Sequence, residues 1–274
     1  MPFKKLKNFW PEFFMANARS WVSENMLDGV ITTFAADLDI KPGELKLVEA
    51  GQRPDALNVT YAFRDATMNY FKGQPYAFGV DGEGYIDGSN MLLQLRDGTI
   101  EDMYAPTGVA IVKDMMLDTA AITIIGTVEG PADNAVSLID RPGLGYPSAM
   151  GLRADQFSGR VIAELGIQMP FRRDVRFEEV QLAAVAHLTN LSVSDLVDGR
   201  SISQGNFRLA LDQFNMEVMG TTLIEGSLAT VNWVENYGGG APYRSKYNIS
   251  AVLDSESQKE FGLHIAPYVQ GPLD

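Results

Sequence analysis

Histidine and paired carboxylates are the side chains here whose types and spacing could do chemistry. The sequence holds two histidines, His187 and His264, and neither stands at a metal-ligand spacing. His187 falls on the polar phase of a segment whose other phase carries Val180, Leu182, Ala186 and Leu188. That position favours a solvated imidazole over a catalytic base. Asp37 and Asp39 share one strand face, as do Asp81 and Glu83. Such a pair does glycosidase work when its carboxyls are held roughly 5–9.5 Å apart. With 35 Asp and Glu in the chain, however, outward strand positions are often acidic by composition alone, and nothing singles out one pair. Gly79-Val80-Asp81-Gly82-Glu83-Gly84 is glycine-rich but lacks the spacing and the Lys-Ser/Thr of a phosphate loop. Glycine at alternate strand positions marks close packing or curvature instead. There is no Gly-x-Ser-x-Gly elbow and no cysteine, so neither a hydrolase nucleophile of that kind nor a thiolate is available. Asn58, Asn190 and Asn248 open glycosylation triplets, a short pattern common by chance, and the first and third lie in strand-like runs. No cofactor or metal is expected. The chain reads as a binding or scaffold protein and not as an enzyme, with a carbohydrate-active enzyme as the contrary case.

Charge narrows the partners. A formal net charge of −13 repels phosphate backbones and anionic headgroups, so nucleic acid is not an expected partner. The candidate basic patch is Lys4, Lys5 and Lys7, too short to offset that field. No apolar run of about 18 residues occurs, so no transmembrane helix is expected. The basic start is followed by Asn8, Pro11 and Glu12, which interrupt the apolar core of a secretory leader. The chain therefore reads as cytosolic, or as a piece of a longer protein.

The elements that must position any site are mostly strands. Trp10, Phe13, Phe14, Ala18, Trp21 and Val22 recur at helical spacing and predict a helix over 10–26, stopped at Asp28-Gly29. After Gly29 the apolar period drops to two. Leu57, Val59, Tyr61 and Phe63 alternate with polar residues, as do Val161 to Met169, Phe207 to Leu211 and Tyr247 to Leu253. About a dozen half-buried antiparallel strands are expected. Asp87-Gly88, Asp97-Gly98, Asp198-Gly199 and Glu225-Gly226 read as turns, and Tyr237–Pro242 as a glycine-rich loop. Short helices are expected over Pro131–Ile139 and Ser255–Phe261, the second with a Ser255/Gln258 capping box.

A faint repeat runs through this pattern. Ile86-Asp87-Gly88-Ser89 recurs as Ile224-Glu225-Gly226-Ser227, 138 residues on. Val128-Glu129-Gly130-Pro131 recurs as Val269-Gln270-Gly271-Pro272, 141 residues on. The expected organisation is an N-terminal helix over 1–28, a first sheet-plus-helix unit over 29–141 and a second over 142–274, the second cut short, all in one continuous domain.

Three motifs carry a family resemblance. They are Trp10-Pro11 with Ala18-Arg19-Ser20-Trp21-Val22 and Leu27-Asp28-Gly29-Val30; Thr127-Val128-Glu129-Gly130-Pro131 running into Val136-Ser137-Leu138-Ile139-Asp140; and Val252-Leu253-Asp254 with Phe261-Gly262-Leu263. In order and spacing they resemble the bacterial AsmA-like envelope proteins, in particular the central domain of the large YhdP-type members. The resemblance implies a mainly β fold with a long curved antiparallel sheet, an N-terminal amphipathic helix and two short helices. It implies a periplasmic groove that moves phospholipid between inner and outer membranes, in a protein anchored in the inner membrane by a segment this sequence does not contain. Membrane contact would then come only through parts of the longer protein.

The residues alone agree with an apolar groove, because one-sided strands must cover their face with a helix, a second sheet or a ligand. The candidate lining residues are Val59, Tyr61, Phe63, Ile122, Ile124, Leu165, Ile167, Leu209 and Leu211, with phospholipid acyl chains as the expected partner. The contrary reading is a closed β-sandwich that holds protein partners and no ligand.

Overall fold

The computed structural model describes residues 1–252, apart from 11, 13–15, 50–51, 54–55, 72, 142–144, 173, 198, 238–239 and 241. The short helix expected over Ser255–Phe261, His264 and the Val269–Pro272 motif lie outside the described residues. No described helix is long and apolar enough to cross a membrane.

The fold is mainly β. Its strands are β1 (Met26–Leu38), β2 (Leu57–Met68), β3 (Ala77–Asp87), β4 (Asn90–Ile100), β5 (Met103–Lys113), β6 (Ala121–Pro131), β7 (Phe157–Pro170), β8 (Gln181–Val197), β9 (Arg200–Leu211), β10 (Asn215–Ile224), β11 (Ser227–Asn236) and β12 (Ser245–Ala251). All twelve belong to one antiparallel sheet in which each strand pairs with the next in the chain, and the order is not closed.

The helices are α1 (Phe3–Leu6), α2 (Ala16–Asn25), α3 (Leu45–Glu49), α4 (Ala132–Ile139) and α5 (Tyr146–Ala149). Two of the expectations hold here: an N-terminal helix precedes the first strand, and α4 opens just after Pro131. The expected helix over 10–26 is described from Ala16, as α2, and residues 11 and 13–15 lie outside the described residues. This helix ends at Asn25, and Asp28-Gly29 lies inside β1. Gly29 has φ +113°, and a Cβ there would stand 2.7 Å from the Cα of Ala66 on the facing strand. The glycine is needed for close approach at a bulge, not for a helix stop. Likewise Asp97-Gly98 is not a turn: Arg96 pairs Thr107 and Gly98 pairs Ala105 within the β4–β5 ladder, with Asp97 at φ +61°. The true turn is Glu101-Asp102, between paired Ile100 and Met103.

The other turn signals act as expected. Glu225 (φ +47°) and Gly226 (φ +83°) link β10 to β11 with the two positive φ values of a type I′ turn. Gly88 (φ +60°) leads the two-residue link from β3 to β4, the glycine-first pattern of type II′. Gly199 lies between β8 and β9 with φ +75°.

The chain divides into two compact units, Met1–Val128 with Leu165–Leu182, and Glu129–Glu164 with Ala183–Asp274. In the first, the core gathers Met26, Phe63, Ala66, Met68, Ala77 and Val80, and Phe3 of α1 and Val22 of α2 pack against it. In the second, Ala132 of α4 packs with Leu191, Val193 and Phe207. Each core uses the same backbone device. Gly29 presses on Ala66 beside Asp65 (φ +53°), and Gly159 (φ +121°) presses on Leu191 beside Asn190 (φ +51°).

Candidate functional site

Register and burial together assign side chains to faces, since directly paired residues point the same way. In the first unit, three rungs cross β2 to β5: Val59–Ile86–Met91–Val112, Tyr61–Gly84–Leu93–Ala110 and Phe63–Gly82–Leu95–Gly108. β1 adds Ala36, Phe34 and Ile31 to them. Phe63 and Val112 are buried, and Tyr61, Leu93 and Leu95 are half-buried. The opposite face is mixed, with Thr60–Tyr85–Leu92–Ile111 and Ala62–Glu83–Gln94–Val109.

The glycines of β3 explain how two rings fit on this face. A Cβ on Gly82 would lie 2.2 Å from the Phe63 ring, and one on Gly84 would lie 2.8 Å from the Tyr61 ring. Each aromatic therefore covers a bare stretch of backbone on the neighbouring strand. Burial pushes the Tyr61 phenol up to about 12. The glycine-rich run thus packs aromatics and does not cradle phosphate.

The second unit repeats the plan. Its rungs are Leu188–Phe207–Gly220–Val231–Ile249, Ala186–Leu209–Val218–Trp233–Tyr247 and Ala184–Leu211–Met216–Glu235–Ser245. Phe207 lies over Gly220, where a Cβ would meet its ring at 2.7 Å. The opposite face is largely polar, with His187–Arg208–Met219–Asn232–Asn248 in register. His187 is exposed on it, as its phase predicts.

One carboxylate interrupts the apolar face. Glu235 is buried and accepts hydrogen bonds from Arg244 Nε (3.2 Å), Trp233 Nε1 (3.3 Å) and the Ser245 hydroxyl. It marks a polar end to the face at the Leu211–Met216 rung. Beside it Tyr237 stands 5.3 Å from Tyr146 of α5, centroid to centroid, and burial, helped by Tyr146, Glu235 and Asp212, pushes the Tyr237 phenol up to about 12.

Among the sequence-derived lining residues, Val59, Tyr61 and Phe63 share one face of the first unit, and Leu209 and Leu211 one face of the second. Leu165 and Ile167 are half-buried on β7, in phase with buried Val161 and Ala163. Ile122 and Ile124 are half-buried on one side of β6, and Ile125 on the other is 55% exposed. The sequence reading missed Leu93, Leu95, Val218 and Trp233. The run Met91-Leu92-Leu93-Gln94-Leu95 is apolar on both phases, so alternation could not place it. Tyr247 and Ile249 share the apolar face but are 57% and 55% exposed, not half-buried, because β12 is the last strand in the order.

One of the two acidic pairs, Asp81 and Glu83, is engaged within the sheet. The Asp81 carboxylate accepts the Asp65 amide at 3.0 Å, steadying the β2 bulge, and Glu83 pairs with Arg96 at 3.0 Å. Among the described residues no group of three His, Asp or Glu side chains is placed to hold a metal ion. Comparison with family models, curated proteins and solved structures finds no match to this chain.

Proposed function

We propose that this chain is a non-enzymatic lipid-binding segment whose apolar sheet face takes up phospholipid acyl chains. The observation that carries the reading is the in-register apolar face of the second unit. Ala132 of α4 packs at its bulge end, whereas Tyr247 and Ile249 on the same rungs stay more than half exposed. An acyl chain laid on such a face gains about 0.8 kcal/mol per buried methylene, with no covalent step. The first unit offers the same arrangement, with Phe34, 52% exposed, on the face that buries Phe63. The setting in a periplasmic, inner-membrane-anchored AsmA-like protein, acting in phospholipid transport between the membranes and in envelope integrity, is drawn from the order of the sequence motifs. The test is native mass spectrometry of the protein after mild extraction. Bound phospholipid in a defined ratio is expected, and Leu209→Glu should lose it while Arg208→Glu on the opposite face keeps it. A folded protein that flies free of lipid, or that keeps lipid equally in both variants, would overturn the reading.

A further inference from the structure

We infer that the two outer strands of the sheet, β1 and β12, are complementary edges through which copies of this chain join head to tail. The inference does not rest on lipid binding.

The strand order begins at β1 and ends at β12, so each has one edge without a strand partner among the described residues. The edges differ in how they are covered. On β1, Met1 and Pro2 close the start: Met1 exchanges both backbone hydrogen bonds with Ile31, and Pro2 bridges Val30. Beyond that point the seven residues from Thr32 to Leu38 are all exposed. β12 is also seven residues long, and six of them are exposed. A long exposed edge with apolar residues is a template for pairing.

Backbone polarity shows which groups are on offer. Asp39 donates its amide inward to Ala56, so by alternation Phe34, Ala36 and Leu38 direct their amides and carbonyls outward. Asn236 donates to Arg244, and Val252 donates to Leu228. These place Ser245, Tyr247, Ile249 and Ala251 outward on β12. On both strands the outward-directed residues also carry the apolar-face side chains. An antiparallel junction between β12 of one copy and β1 of the next therefore continues the ladder and keeps the apolar face on one side.

One register satisfies hydrophobic and charge matching together. Phe34 opposite Ile249 sets Ala36 against Tyr247, Leu38 against Ser245 and, on the other face, Asp37 against Lys246. The junction buries Phe34, Tyr247 and Ile249, each more than half exposed in the single chain. It also sets an opposite-charge pair within a molecule of net charge −13, whose copies otherwise repel. Self-pairing of β1 gains no such pair: Asp37 would meet Ala35. Because the junction is heterologous, it does not close as a two-fold dimer and gives concentration-dependent growth.

Sedimentation equilibrium of the full chain across a concentration series tests this. The expected result is an average mass that climbs past the 30.0 kDa monomer and past the dimer. Asp37→Lys or Lys246→Asp alone should raise the concentration for half-association about tenfold, and the double exchange should restore it. Ile249→Pro removes an outward amide without touching the β11 ladder and should leave monomer, its fold checked by circular dichroism. A monomer at every concentration overturns the inference. So does a closed dimer indifferent to Asp37→Lys, which would assign the contact to β12 meeting its own copy.

Discussion

At the scale of single residues, the apolar face depends on absent side chains as much as on present ones. A Cβ on Gly220 would stand 2.0 Å from the Asn206 carbonyl oxygen and 2.8 Å from the Phe207 Cα, both backbone atoms that cannot swing aside. Gly220→Ala should destabilise the protein by about 1–3 kcal/mol, the usual cost of overpacking. Gly240→Ala, where nothing lies within 4 Å, should be near neutral. Urea unfolding of the two variants checks the contrast, and equal midpoints would refute the ring-over-glycine account. Glu235 is the second such residue. Its loss in Glu235→Ala strands the Trp233 and Ser245 donors on an otherwise apolar face, at a cost of about 1–3 kcal/mol. Trp233 reports directly: its emission should shift in Glu235→Ala before any global unfolding. Alternation in the sequence showed which residues share a phase, as Val59, Tyr61 and Phe63 do. It could not show that Gly82 and Gly84 are the floor beneath two of them, because that pairing depends on register between β2 and β3.

At the scale of elements, the strands were readable and several boundaries were not. Asp-Gly can end a helix, make a turn or sit at a bulge, since all three want a positive φ. The pair at 28–29 and the pair at 97–98 both resolve into strand interiors, and only the partner strand decides this. Helices α3 and α5 carried no periodic signal because each is barely a turn long. The repeat needs a similar correction of scale. The matched turns equate β3–β4 with β10–β11, whereas the helix-led glycine bulges equate β1–β2 with β7–β8. The two correspondences are out of step by one strand. The bulge device, which joins φ values, a close approach and a packed helix, is the stronger of the two. Two loops should respond to acid. Glu44 accepts the Lys41 amide and pairs with Arg53, and Glu179 accepts the Arg176 amide beside Arg172 and Arg176; the backbone bond foremost, then the guanidinium groups, hold each carboxyl below its usual value. A lowered carboxylate value in the fold means that its stabilisation is complete at neutral pH and is lost as pH falls through that lowered value. Hydrogen exchange over residues 41–53 and 172–179 should therefore quicken on acidification, after correction for the intrinsic rate. Glu44→Gln and Glu179→Gln should exchange fast already at pH 7 and show no further acid step. Acid steps that survive in both variants would assign them elsewhere.

For the whole molecule the decisive quantities are a net charge of −13 and an apolar face that carries little of it. If acyl chains are held by that face, the bound state draws on apolar burial, which moderate salt hardly alters. The approach to a membrane is different. An acidic chain nearing an anionic bilayer meets like charge over a screening distance of about 30 Å at 0.01 M salt and about 8 Å at 0.15 M. Uptake of a fluorescent phospholipid from anionic vesicles should therefore speed up as salt rises across that range. Uptake from zwitterionic vesicles should change little, and the amount bound at equilibrium should be the same from either source. Stopped-flow transfer with both vesicle types separates rate from capacity. The opposite result, fast transfer at low salt that slows as salt is added, would mean that a basic surface leads the encounter. Replacing Lys4, Lys5 and Lys7 with Ser, and separately Arg172, Arg173 and Arg176, would then show which basic cluster carries that salt effect, and the apolar face would be displaced as the first point of contact.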